Sequence, residues 1–274
     1  MQMTTQTVIV TGASDGLGAA IAEQLGKLHA NVVITARRQD ELEQTAERVM
    51  AAGGQVRIVA GDITQAYICK KLVQTAIESF GMLDAIVNNA GVLAPIAAVA
   101  DGKPNDWRYA FEVNVFGPLT LFQAALPHLR KADQPGRVIN VSSGAAVTSY
   151  PTWGAYGATK AALNHLTATI SAEEPHITTI ALRPGVVDTA MQQQIRDEGK
   201  DVMPEVLYNR FTQFHEEGDL LPPEKPGFAA AVLALHAPPD WSGQFMSWDD
   251  EYVRRLAERY YPLMADTTSD NPQA

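Results

Sequence analysis

The sequence predicts a single α/β domain: a doubly wound parallel sheet with helices on both faces. Three observations predict it. Short Val/Ile-rich runs alternate with longer helical patterns, the signature of βαβ units. Those runs are apolar throughout rather than alternating, as strands buried on both faces are. No linker, charge block or repeat divides the 274 residues, a length within reach of one large domain.

The elements follow in order. TVIV (7–10) reads as a buried strand and 16–28 as a helix. NVVIT (31–35) is the second strand, and 39–54 a helix stopped by glycines. VRIVA (56–60) is the third strand, followed by a helix around 66–80. DAIVNNAG (84–91) is a strand running into a turn, and one long helix is expected from about Pro104 to Leu129. A strand at 137–143, a helix at 153–173 and a strand at 177–185 continue the rhythm. Right-handed crossovers wind such units into one sheet. Residues 190–223 break the rhythm: helical in part, without a clear strand, and ending in LLPPEKPG. An insertion after a strand's carboxyl end is either a lid over the site or a plain surface excursion. The tail ADTTSDNPQA (265–274) is polar and is expected to fray.

Composition excludes several function classes. The chain is 46% hydrophobic, with 31 acidic against 21 basic residues and a formal charge of −10. That balance disfavours nucleic acid and anionic membranes as partners. No apolar stretch approaches the length of a membrane span, and MQMTTQTVIV lacks the cationic head and apolar run of a signal peptide. The single cysteine, Cys69, can form no internal disulfide and reads as a packed thiol, so a reducing, cytoplasmic setting is expected. Six histidines show no ligand spacing, and no metal site is expected.

The first strand runs into TGASDGLGAA, where Gly12, Gly16 and Gly18 are spaced G-x3-G-x-G at a strand-to-helix junction. Gly12 permits the tight turn, Gly16 lets the backbone approach a pyrophosphate, and Gly18 lets the helix pack against the sheet. The helix N-terminus presents free N–H groups to the phosphates. Gly12-Ala-Ser14-Asp-Gly16 also spells G-x-S-x-G, but inside this turn it is no hydrolase elbow. The second strand ends in TARRQDEL, with Arg37 and Arg38 where NAD would want an acidic residue. Arginine suits a bidentate grip on a 2′-phosphate, which favours NADP; the alternative is that both begin a solvated helix face.

A tyrosine and a lysine, Tyr156 and Lys160, stand four residues apart in YGATK and share one helix face. A phenol beside an ammonium is either a surface pair or a proton donor under control, since a nearby cation lowers a phenol's pKa. Trp153, three residues earlier, could wall a pocket for an aromatic ketone or staple the start of its helix. Tyr208, Phe211 and Phe214 form a helical stripe, read as packing before substrate contact.

With TGASDGLG (11–18), GDIT (61–64), NNAG (88–91), FEVNVFG, the serines 142–143, YGATK (156–160) and PGVVDT (184–189) in order, the sequence resembles the short-chain dehydrogenase/reductase family. WGAYGATKAALNHL, RPGVVDTAMQQQIR and ALHAPPDWSGQFMSWDD are similar to a fungal branch related to sepiapterin reductase and (S)-benzoin-forming benzil reductases. The resemblance implies a general acid at Tyr156, with Lys160 lowering its pKa and touching the nicotinamide ribose. It implies an oxyanion donor at Ser143, preferred to Ser142 by spacing, and Asn114 holding a water that links Lys160 to solvent. For the cofactor it implies contacts from Ser14, Asp15 and Leu17 in the glycine turn and from Asp62 and Ile63 at the adenine. Asn89, Ala90 and Gly91 would line the adenosine ribose, and Pro184, Gly185, Val187 and Thr189 would seat the nicotinamide. Leu93 and Ala145 would line the substrate pocket beside Trp153. One departure stands out: NADP-using relatives often carry a basic residue where this chain has Asp15. The helices at 104–130 and 153–173 imply a homodimer or homotetramer. The expected activity is NADP(H)-dependent reduction of a hydrophobic ketone or 1,2-diketone, or the reverse alcohol oxidation. The alternatives are a dinucleotide-sensing binding protein and an NAD(H)-linked dehydrogenase of a steroid-like or sugar alcohol.

Overall fold

The computed structural model describes residues 5–132 and 134–260; the 265–274 tail lies outside them. The first half runs β1 (Thr7–Thr11), α1 (Gly16–Lys27), β2 (Asn31–Thr35), α2 (Gln39–Ala51), β3 (Gln55–Ile58), α3 (Ala66–Phe80) and β4 (Ala85–Asn88). The second runs α4 (Pro104–Phe111), α5 (Gly117–Leu129), β5 (Gly136–Val141), α6 (Gly154–Glu173), β6 (Ile177–Arg183), α7 (Ala190–Gly199), α8 (Glu205–Glu216), α9 (Glu224–His236), β7 (Phe245–Ser247) and α10 (Glu251–Tyr260). Among the described residues the strands form one seven-stranded sheet of order β3-β2-β1-β4-β5-β6-β7, parallel at every pairing.

Period-two side-chain alternation divides each strand between two cores. Val8 and Val10 face α1, α2 and α9, while Ile9 between them faces α3 and α5. Val32 and Ile34 against Val33, and Ala85 and Val87 against Ile86, repeat the split. This is why Val8–Val10, Val32–Ile34 and Ala85–Val87 are apolar on both faces. The strand order reverses between β1 and β4, so the chain leaves the two carboxyl ends in opposite directions. The crevice so opened is where this architecture holds ligands.

Three features depart from the expected elements. The helix expected at 104–129 is broken by a π turn at Glu112–Phe116, with Gly117 N–H donating to the Glu112 carbonyl. Pro118 has no N–H to offer the Asn114 carbonyl, its α-helical partner position, so a regular helix cannot be continued there. Second, the C-terminal α9, β7 and α10 gave no clear signal. α9 is buried from Pro226 to Leu235 without an interruption, so it has no polar face to mark a helical period. Third, residues 190–223 are helical insertions, α7 and α8, tied back to the sheet where Leu221 N–H donates to the Val186 carbonyl at 2.9 Å. Among the described residues no helix is long and apolar enough to cross a membrane.

Candidate active site

A cleft of about 920 Å³ runs along the carboxyl edge of the sheet. Every residue expected at the site lines it except Asn114.

The floor is the glycine turn after β1. Gly12 has φ 68, a left-handed conformation that an L side chain resists, and an added Cβ would lie 2.8 Å from Ala90 Cα. At Gly18 a Cβ would collide with the Gly12 carbonyl oxygen and with Asn89 Nδ2. The turn is stapled rather than merely bent. Asn89 Nδ2 donates to the carbonyls of Thr11 (3.0 Å) and Gly12 (3.2 Å), and the Thr11 hydroxyl accepts from the N–H groups of Asn89 and Ala90, both at 3.0 Å. The Asn89 amide, expected at the cofactor ribose, is therefore spent on holding the turn. Thr11 is a structural residue the sequence did not signal. Asp15 caps α1, its carboxylate accepting from Gly16 N–H at 2.7 Å. A cap needs an acceptor, not a cation, which accounts for the acidic residue at that position.

At one end of the cleft, Arg38 Nη2 donates to Ser14 Oγ at 3.2 Å, and Arg37 reaches Tyr109. Asp62 Oδ1 accepts from the Thr64 N–H and hydroxyl, both at 2.9 Å, which fixes the loop after β3. Its neighbour Ile63 is buried under the same loop, and its carbonyl accepts from the buried Cys69 thiol at 3.5 Å. Burial pushes that thiol up to about 11.

The other end holds Ser143, Tyr156 and Lys160. The geometry distinguishes the two serines. Ser142 is buried and donates to Asn164 Oδ1 at 2.6 Å, whereas the Ser143 hydroxyl accepts from Ala145 N–H at 3.1 Å and lines the cleft together with the Tyr156 phenol. Lys160 follows one turn after Tyr156, its Nζ 5.7 Å from the phenol ring centroid and donating to the Val141 carbonyl at 2.7 Å. Both groups are buried, and burial governs both. It holds the Lys160 ammonium down at about 8 and raises the Tyr156 phenol, with the nearby Ser143 hydroxyl acting the other way. Burial therefore outweighs the lowering of the phenol expected from Lys160. The ammonium points its bond at a carbonyl, and the loss of solvent outweighs a charge at that range. Asn114, on the π turn, bonds to the backbone N–H and carbonyl of Val92 (2.8 and 2.9 Å) and to Thr159 Oγ1 (3.0 Å). Its side chain anchors the loop after β4 instead of facing the cleft.

Past Tyr156 the wall becomes aromatic. Trp153 meets Tyr156 edge-on (6.1 Å, 89°), and Phe211 of α8 lies 4.9 Å from Trp153, with Tyr150 completing the cluster. Leu93, Ala145 and Ile195 pack around them. Tyr150 was not foreseen. Of the stripe on α8, Phe211 reaches the cleft, whereas Tyr208 packs inward and donates to the Arg196 carbonyl at 3.2 Å. Gly185 (φ 82), Val187 and Thr189 form the turn after β6 that leads into α7, with Pro184 at its start. Among the described residues no group of three or more metal-binding side chains comes together.

The residues present fit a dinucleotide. The cleft crosses the switch point, the N-terminus of α1 opens onto it, guanidinium groups stand at one end, and a phenol and an ammonium at the other. Comparisons with known proteins agree. The family model for short chain dehydrogenase matches residues 6–200. The chain is 40% identical over 244 residues to an uncharacterized oxidoreductase of Schizosaccharomyces pombe, spanning 89% of this chain and 96% of that one. It is 34% identical over 256 residues to an (S)-benzoin-forming benzil reductase of Saccharomyces cerevisiae, spanning 90% and 97%. The crystal structure of a short-chain dehydrogenase/reductase from Saccharomyces cerevisiae superposes with a TM-score of 0.87 at 36% identity, covering 92% of this chain and 99% of that one. An alcohol dehydrogenase from Thermococcus sibiricus, complexed with 5-hydroxy-NADP, superposes with a TM-score of 0.74 at 27% identity, covering 89% and 95%. This chain belongs to the short-chain dehydrogenase/reductase family, oxidoreductases that work with a nicotinamide dinucleotide.

Proposed function

We propose that the chain is an NADP(H)-dependent carbonyl reductase of a hydrophobic ketone or 1,2-diketone, with Ser143, Tyr156 and Lys160 as its catalytic residues. The observation that carries this reading is that Ser143, Tyr156 and Lys160 line one cleft, between a glycine turn at a helix N-terminus and an aromatic wall.

When bound, the reduced nicotinamide supplies the hydride. The rest falls to the chain. Ala145 N–H donates to Ser143 Oγ, which leaves the serine proton free for an acceptor in the cleft. As the carbonyl π pair moves onto oxygen, the Tyr156 O–H hands its proton to that oxygen and Ser143 donates to it. A phenol raised by burial stays protonated at neutral pH, which is the state an acid must start from. The phenolate left behind is stabilised by the Lys160 ammonium one turn away and regains its proton from there. Trp153, Phe211, Tyr150 and Leu93 offer aromatic and apolar surface and exclude water. A bulky aromatic diketone suits that wall, and the likeness to a benzil reductase supports it. Arg37 and Arg38 favour NADP over NAD. As the family resemblance implies, we propose that the α5 and α6 faces pair two copies.

The test is NADPH oxidation against a panel of aromatic and aliphatic 1,2-diketones, with Tyr156→Phe beside the wild type. The variant should bind NADPH normally and lose about 10²–10⁴ in kcat. Binding of NADPH with no diketone reduced would favour a sensing role instead.

A further inference from the structure

The arginine end of the cleft holds a contact that the mechanism above does not use. Arg37, just past β2, and Tyr109, on α4, are 72 residues apart in sequence, yet Arg37 Nη1 donates to the Tyr109 hydroxyl oxygen at 3.3 Å. Both side chains line the cleft, so the contact joins the end of β2 to α4 at its arginine end. Tyr109 is 43% exposed, while the next residue, Ala110, is fully buried and fixes the backbone beneath it.

Arg38 is held differently. Its Nη1 pairs with Glu41 at 3.1 Å and its Nη2 donates to Ser14 Oγ at 3.2 Å. Arg37 takes part in none of the ion pairs among the described residues. One guanidinium is thus partly neutralised by a carboxylate. The other keeps its charge and is positioned by a neutral phenol.

We propose that Tyr109 is a specificity-determining residue, forming with Arg37 a two-part receptor for the 2′-phosphate of the dinucleotide. The inference rests on the NADP reading above and adds a second residue to it. The phenol oxygen accepts from Arg37, which turns the phenol's own proton away from the guanidinium. Among the described residues that proton has no recorded acceptor. A phosphate brings anionic oxygens that accept both from the remaining guanidinium N–H groups and from this hydroxyl. The ribose hydroxyl of NAD is neutral and binds such donors about half as strongly. The tether also restrains a long, exposed arginine before the ligand arrives, so less side-chain freedom is lost on binding.

Calorimetric titration with adenosine 2′,5′-bisphosphate and 5′-AMP isolates this end of the cleft, and NADPH and NADH extend the comparison. Tyr109→Phe should weaken the bisphosphate and NADPH by about fivefold to tenfold and leave 5′-AMP and NADH within about twofold. Arg37→Ala should show the same selectivity with a larger loss, and the double variant should lose less than the product of the two. If Tyr109→Phe affects both ligand classes alike, or neither, the receptor is Arg37 alone and the inference falls while the NADP reading stands. If Arg37→Ala is also unselective, both fall. Thermal melting of each variant shows whether the fold is retained.

Discussion

The two ends of one cleft are built on different plans. The cofactor end is made by backbone: a glycine turn, a helix N-terminus and a loop end held by Asn89 and Thr11. Its residues lie within a few positions of one another at the ends of β1, β2, β3 and β4, and side chains decide only at the arginine rim after β2. The substrate end is made by side chains gathered from far apart: Leu93 after β4, Tyr150 and Trp153 before α6, Phe211 on α8. A backbone site tolerates almost no added atoms but is indifferent to most side chains. A side-chain site can be resculpted one residue at a time. The difference explains how one fold keeps a single cofactor and changes its substrate.

The sharpest way to break this contrast is at Gly18. Its added Cβ would meet a carbonyl and a stapling amide, neither the far end of a flexible chain. Gly18→Ala should destabilise the protein by at least about 1–3 kcal/mol and abolish measurable NADPH binding. Denaturant melts and NADPH titration check both. An alanine variant that folds and binds normally would mean the turn is less close-packed than its geometry requires.

The same contrast decides what could be read from the sequence. Glycines with fixed spacing at the end of an apolar run are local signals, so the turn, the strands and the Tyr156/Lys160 pair were legible. The choice of Ser143 over Ser142 rested on spacing, and the structure gives it a reason in the Ser142–Asn164 bond. Tyr109 and Tyr150 were not legible, because only the folded chain brings them to the cleft. The π turn was hidden inside an apolar helical pattern, and α9 by having no polar face. How far burial shifts Tyr156 and Lys160 was not legible, because sequence shows proximity but not burial.

The substrate end should yield more gently. Phe211 is buried against Trp153 and Tyr150, but on α8 rather than in either sheet core. Phe211→Ala should raise KM for a bulky aromatic diketone by about tenfold or more while NADPH affinity changes less than about twofold. Amide exchange in α7 and α8 should quicken, with β1 unaffected. A parallel loss of NADPH binding would show that the two ends are not separable.

Lys160 stands where the ends meet, and its effect is smaller and depends on pH. Burial holds its ammonium at about 8, against 10.5 for an unburied lysine. Below about 8 both folded and unfolded chains carry the proton, and the folded state bears the whole cost of burying it. Between about 8 and 10.5 the unfolded chain binds more protons than the folded one, so stability rises with pH across that window. Lys160→Met has no such rise. Its advantage over wild type in the cofactor-free protein should therefore shrink by up to about 3 kcal/mol as pH climbs from 8 to 10.5. Urea unfolding of both proteins at several pH values reads this directly. Parallel stability curves would mean that the Val141 carbonyl keeps the ammonium charged throughout, and that the joint between the two ends is more polar than its burial implies.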